Sequence, residues 1–398
     1  MHTFRPITLS LLLLLTAAVP AARAATVGEL EQRLDALAAE LAAQRTPAKS
    51  RVSLGGYGEV HYHNFDGKRD DGADAGRTDQ IDLHRFVLFA GYQFTDTVSF
   101  RSELEVEHAV ASSDSEDPGE VEIEQAYVEW AGRPWLGVRA GLFLVPVGIL
   151  NETHEPPTFF GVERNQVETR IIPTTWREAG VQLFGEVAEG ISYQVGLHSG
   201  LALEPGSDAR GGMRELHQEA AEATAERLAV SAALRVAPRG GLSGGLSLVY
   251  QNDLTQGAGA EISALLSEAH LQYRRGPLEA RVLYARWDVD GADDFFADGG
   301  GRIADTEQGW YVEAAYHLAR FLPGAQDVAP FVRYERLDTN NSVPTGVSRD
   351  ESRDERVATA GLNYWPVPQV VVKVDVQDFH NDASTGLDRW NVGVGWWF

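Results

Sequence analysis

The chain has 398 residues, 58 acidic against 34 basic side chains, a formal net charge of −24, 40 glycines and no cysteine. That charge excludes a partner as anionic as nucleic acid, and the lack of cysteine excludes disulfides, thiolate metal sites, iron–sulfur clusters and a cysteine nucleophile. The low mean hydropathy argues against a bundle of spanning helices, since the one near-continuous apolar run, residues 9–19, is shorter than the ~20 residues a spanning helix needs.

Residues 1–24 have the three parts of a secretory signal: Arg5 in a short basic start, an apolar block, and Ala22-Arg23-Ala24 as an A-x-A cleavage site. The mature chain is expected to begin at Ala25, so the protein is exported. In residues 25–50, Val27, Leu30, Leu34, Leu37 and Leu41 recur at steps of three and four, an a/d seam. Two readings fit: a short oligomerising coiled coil, which we favour, or a single amphipathic helix packed on the rest. Thr46-Pro47-Ala48-Lys49-Ser50 then reads as a linker.

From residue 51 to residue 398 apolar and polar residues alternate in segments of about ten, the length of a tilted strand crossing a bilayer. Sixteen segments begin near residues 51, 78, 97, 120, 135, 176, 190, 227, 242, 262, 277, 306, 326, 355, 368 and 388. Short connections such as 95–97, 189–190 and 275–277 alternate with long, acidic, Gly-rich ones at 64–77, 111–119, 201–226, 289–305 and 339–354. This predicts an all-β fold: a 16-stranded antiparallel transmembrane β-barrel preceded by a short N-terminal coiled-coil helix. An even strand number closes the sheet and puts both termini on the short-turn, periplasmic side of a Gram-negative outer membrane. The last segment sharpens the reading, with Trp390, Val392, Val394, Trp396 and Phe398 on one face. A terminal Phe with an aromatic two residues earlier resembles the signature read by the barrel-assembly machinery. Tyr92, Phe94, Trp130, Trp135, Trp310, Tyr316, Tyr364 and Trp365, near strand ends, suit interfacial girdles against outer-membrane lipid and lipopolysaccharide.

The polar phase of each strand faces the lumen. It carries Arg85, Arg101, Arg139, Arg235, Arg274, Arg281, Arg333 and Lys373 against Glu59, Glu103, Glu105, Glu107, Glu129, Glu268, Glu279, Glu313, Glu335 and Asp375. The wall is therefore mixed, and most of the acidity lies in loops. Ile123 and Ala126 disagree in phase, which marks a bulge. The stretch 141–176 differs from the others: Pro146, Pro156, Pro157 and Pro173 disfavour a strand, and Phe159, Phe160, Ile171 and Ile172 disfavour a solvent loop. Folded inward, it forms a constriction lined or braced by Arg164, Arg170 and Arg177 with Glu152, Glu155, Glu163, Glu168 and Glu178.

Ala126-Tyr127-Val128-Glu129, the run from Arg139 to Gly148, and the Glu163-Arg164 loop leading to Arg177 and Gly180 resemble the phosphate-selective porins O and P. The resemblance covers residues 51–398 and the helical prelude. It implies a homotrimeric porin with inward-folded loops and an arginine ladder that passes anions such as phosphate. The matching positions are Arg85, Arg101 and Arg139 on strands, and Arg164, Arg170 and Arg177 around the constriction. The chain departs from that pattern in Glu103, Glu105 and Glu107, which share the lumen, and in its acidic outer loops. A general or weakly cation-preferring channel of the same fold is therefore the alternative within the family.

Other signals are weaker. Gly241-Leu242-Ser243-Gly244-Gly245 matches a nucleophile motif but lies within a strand, and His154-Glu155 lacks the second histidine of a zinc helix. His61 and His63 on one strand read as solvated polar residues, and residues 288–294 have the glycine of a calcium loop too early. No catalytic residues, metal or cofactor are expected. A passive diffusion channel is the leading function, with an outer-membrane hydrolase and an adhesin barrel as alternatives from other classes.

Overall fold

The computed structural model describes residues 50–110, 119–238 and 240–398. The expected signal peptide and coiled coil lie outside the described residues. Sixteen strands form the barrel: β1 Val52–Phe65, β2 Gln80–Gln93, β3 Val98–Glu107, β4 Val121–Arg133, β5 Leu136–Leu144, β6 Arg177–Ala188, β7 Ile191–His198 and β8 Ala229–Val236. They continue with β9 Leu242–Gln251, β10 Ser263–Arg275, β11 Leu278–Asp290, β12 Thr306–Tyr316, β13 Asp327–Ser342, β14 Asp354–Val367, β15 Val370–Asn381 and β16 Arg389–Trp397. Each predicted strand start falls within two residues of the observed one.

Every strand is antiparallel to its chain neighbours, and β16 returns to pair with β1, from Tyr57 opposite Trp397 to Phe65 opposite Arg389. Reciprocal backbone bonds between Gly56 and Phe398, 3.0 and 2.9 Å, finish the seam. Closure matters because an open edge would leave unpaired N–H and C=O groups in hydrocarbon. The connections at one end are two to five residues long, except 317–326, and the chain enters and leaves the barrel at that end. The other end carries the long loops, of which 145–176 and 199–228 are the largest.

Alternation sets the two faces. Leu54, Ile81, Leu88, Val128, Leu183, Leu197, Leu246, Val312, Val332 and Val376 are exposed on the outer surface, as a lipid-facing band requires. The girdle aromatics Tyr92, Phe94, Trp130, Trp135 and Tyr316 share that exposure. Trp365 does not fit the girdle reading. Its ring lies against His317 (centroids 5.9 Å) and edge-on to Phe160 of the inner loop (6.2 Å), so it turns into the barrel. The strand places it in phase with buried Asn363, and the apolar Phe160 and Phe331 offer it cover there.

The register shifts at several strand pairs, and two of these bulges fall between β1 and β4. Between β1 and β2 the register moves from Glu59–Arg85 to Val60–Leu83, leaving His84 without a partner. Between β3 and β4 it moves from Glu103–Gln125 to Leu104–Ile123, leaving Glu124 as the extra residue. The second is the bulge expected from Ile123 and Ala126. A bulge re-aims a side chain, and here each adds a polar group to the lumen.

Candidate functional site

The loop 145–176 folds into the barrel, and its own residues explain why. Asn151 clamps its two ends: the amide Nδ2 donates to Val145 O (2.7 Å) and Trp176 O (3.0 Å), and Oδ1 accepts from Trp176 N (2.7 Å). Buried Glu168 acts as an internal anchor, since its Oε2 accepts from Ile149 N (2.6 Å) and Leu150 N (2.7 Å) and its Oε1 accepts from the Tyr311 hydroxyl of the wall (2.7 Å). Polar wall groups pair with further backbone groups of the loop. Val162 N donates to Asp375 (2.6 Å), Gln166 N to Glu335 (2.6 Å), and Arg333 and Arg281 donate to the carbonyls of Phe160 (3.1 Å) and Thr158 (2.9 Å). Irregular backbone inside a barrel is stable only when its polar groups are paired in this way.

Apolar packing holds one side of the loop. Val145, Val147, Ile149, Leu150, Val167, Ile171, Ile172 and Trp176 join Leu201, Leu203, Met213 and Leu216 of the second long loop. Both meet Leu266, Leu283, Trp287, Tyr311 and Leu337 on the inner wall of β10–β13. The prolines and large apolar residues that broke the strand pattern thus fill that side of the lumen. Close approach needs glycine in the wall: a Cβ on Gly395 would sit 2.3 Å from Pro156 Cβ, and one on Gly309 would sit 2.9 Å from Ile171.

Water-accessible space remains on the two faces of the loop. One cavity of about 1060 Å³, towards the short-turn end, is lined by Ile149, Glu152, Thr153 and Thr158 of the loop with Arg235, Arg274, Glu279 and Arg281 of the wall. The other, about 380 Å³, lies between Phe159, Val162, Glu163, Arg164 and Thr175 of the loop and the inner wall of β1–β4.

The expected site residues fall around these spaces, and most of the arginines are already engaged. Arg85 lies 2.9 Å from Glu59 and 3.4 Å from Glu105. Arg139 meets Glu129 at 2.9 Å, donates to Gln182 (2.9 Å) and stacks on Tyr127, 4.4 Å from the ring centroid. Arg170 pairs with Glu355 at 2.6 Å, and Arg177 with Glu122 (2.8 Å) and Glu219 (3.2 Å). Arg164 differs. It is buried, its guanidinium donates to the neutral oxygens Thr175 Oγ1 (3.0 Å) and His154 O (3.4 Å), and its Nε has no hydrogen-bond partner. Arg101 is exposed on the lumen phase of β3 near the short-turn end, apart from the constriction. Glu103 and Glu105 are buried in the wall, and Glu107 lines the smaller cavity.

Sequence reasoning missed His154, Glu122 and Glu124 as members of this site. His154 Nε2 lies 3.5 Å from Glu103 and 3.7 Å from Glu124, tying the loop to β3 and β4. Burial alone would lower its pKa; attraction to the carboxylates of Glu103 and Glu124 outweighs that and pushes it up to about 10. The phase conflict at Ile123 was the available signal, since resolving it puts Glu122 and Glu124 inside.

Residues 54–391 match the family described as phosphate-selective porin O and P. The chain belongs to this family. An uncharacterized protein of Aquifex aeolicus (strain VF5) is 32% identical over 373 residues, which are 88% of this chain and 80% of that protein. Among solved structures, the anion-selective porin from Comamonas acidovorans aligns with a TM-score of 0.55 at 13% identity, covering 87% of this chain and 99% of that one. Salmonella typhi OmpF in complex with daunomycin gives 0.56 at 13%, with 87% and 97% covered. The trimer form of in-vitro folded OmpT from Vibrio cholerae gives 0.53 at 11%, with 87% and 99% covered. At these identities the structures share the fold. Family and fold together make this chain an outer-membrane porin barrel.

Proposed function

We propose that the protein is a passive channel for small hydrophilic solutes and ions, and that its lumen favours cations weakly over phosphate. The observation that carries the selectivity is the engagement of the arginines. A phosphate needs guanidinium donors that are free to reach it, yet Arg85, Arg139, Arg170 and Arg177 each face a carboxylate within 3.4 Å. The smaller cavity is lined by seven glutamates against four arginines, and the larger by three against three. Low-dielectric walls focus that imbalance on any ion that passes.

Anion passage is the second reading, supported by the family's description and by Arg164, whose donors meet only neutral oxygens. Under either reading the barrel is a channel rather than an enzyme. Trimeric assembly is supported by the trimer form of the OmpT relative; periplasmic termini are supported by their place at the short-turn end. Reconstitution in planar bilayers tests the channel itself: stepwise conductance is expected, and silent barrels that hydrolyse lipid or only adhere would refute it.

A further inference from the structure

Four imidazoles that ion passage does not require stand in a row beside the smaller cavity, and His61, His84 and His108 line it. His63 and His61 stand on β1, His84 on the bulge of β2 and His108 just beyond β3. Successive ring centroids are 5.6, 4.6 and 5.7 Å apart, and the His61–His84 pair is stacked. Carboxylates sit between them. His61 Nδ1 is 3.4 Å from Glu163 Oε1, His84 Nδ1 is 3.3 Å from Asp82 Oδ2, and the same Asp82 oxygen is 2.7 Å from His108 Nδ1. One donor atom each from His61, His84 and Glu163 lies within 4.8 Å of the others.

We infer that His61, His84 and Glu163 form a binding site for a first-row divalent transition-metal ion such as Zn²⁺. Three features separate this cluster from an ordinary set of ion pairs. His61 is 2% exposed, and its Nδ1 faces Glu163 without a hydrogen bond, an unspent donor pointed at the cavity. The opposite nitrogen, Nε2, contacts Glu59 at 3.1 Å, and Glu59 is held in turn by Arg85 at 2.9 Å. That is the arrangement in which a carboxylate fixes the tautomer and orientation of a metal-binding imidazole. His84 repeats it, with Asp82 on Nδ1 and the other ring nitrogen left for the metal. The bulge is what brings His84 to this point, since strict alternation would put it in phase with lipid-facing Phe86 and Leu88.

The donor set also chooses the ion. Two imidazoles and one carboxylate suit zinc and its first-row neighbours, whereas calcium and magnesium take oxygen ligands. The His61 Nδ1–Glu163 Oε1 separation of 3.4 Å is close to the edge of a tetrahedron with metal–ligand bonds of about 2.0–2.2 Å, and the donor atom of His84 lies within 4.8 Å of both. A fourth position is left for water, or for His63, whose Nε2 is 3.1 Å from the same Glu163 oxygen.

Calorimetric titration of the folded full-length barrel with Zn²⁺, after removal of bound metals by chelation, tests the site without depending on whether the channel conducts. One saturable ion per chain is expected, with Co²⁺ at the same site giving visible ligand-field bands. His84→Gln and Glu163→Gln should each weaken Zn²⁺ binding at least about tenfold, while His270→Gln, elsewhere on the wall, should leave it unchanged. Heat-modifiable mobility on gels checks that each variant is folded, and His61→Gln replaces any that is not. No saturable binding, binding that survives these substitutions, or a site that Ca²⁺ fills equally well would overturn the inference.

Discussion

At the scale of single residues, the constriction is built from charges that restrain each other. His154 is the clearest case, because its ring ties the loop to Glu103 and Glu124 of the wall. Its pKa is raised from the ordinary 6.5 to about 10, so the folded state binds a proton that the unfolded state releases. Its contribution to stability is fully present below pH 6.5 and is lost as pH rises towards about 10. Thermal melts of wild type and His154→Gln should therefore differ most at pH 6 and converge near pH 10. A gap that is constant with pH would contradict the assignment. Arg164 makes a second case. Its donors meet only neutral oxygens, so Arg164→Ala should shift selectivity further towards cations, read as a more cation-directed potential; an unchanged potential would place Arg164 outside the ion path.

At the scale of elements, the wall and the inner loop were legible to different degrees. Period-two alternation carries strand identity directly, because each strand has a lipid face and a lumen face, and the sixteen strand starts could be read within two residues. The prolines and phenylalanines of 141–176 also announced an inward loop. The bulge at Glu124 showed in the phase conflict of Ile123 and Ala126, whereas the one at His84 did not show, because a bulge is a property of a strand pair and depends on the partner's register. Pairing of the arginines was invisible for a similar reason: Arg170 meets Glu355 across 185 positions of sequence. The fit between loop and wall makes a prediction at this scale. Gly395→Ala would put a methyl 2.3 Å from Pro156 Cβ, so it should displace the loop or destabilise the barrel by about 1–3 kcal/mol, seen as changed conductance or a lower melting temperature. On the outer face, Leu246→Arg should destabilise by about 2–4 kcal/mol, measured by reversible unfolding in lipid; a neutral effect would mean that this face does not meet hydrocarbon.

At the scale of the whole molecule, a closed sheet separates two environments, and the inner loops then decide how much of the lumen stays open. The second long loop and the apolar wall of β10–β13 occupy one side, and the spaces that remain lie beside β1–β4 and near the short turns. The short heptad segment before the barrel is expected to support the trimer. Deleting residues 26–45 should lower the trimer fraction on native gels while leaving the barrel folded, and an undiminished trimer would remove that role. The central claim, that engaged arginines and surplus carboxylates make a weakly cation-preferring porin, is tested most directly by the reversal potential in a planar bilayer under a salt gradient, with and without phosphate. A cation-directed or near-zero potential insensitive to phosphate is the predicted result. An anion-directed potential with phosphate block, abolished by Arg164→Ala or Arg170→Ala, would contradict it.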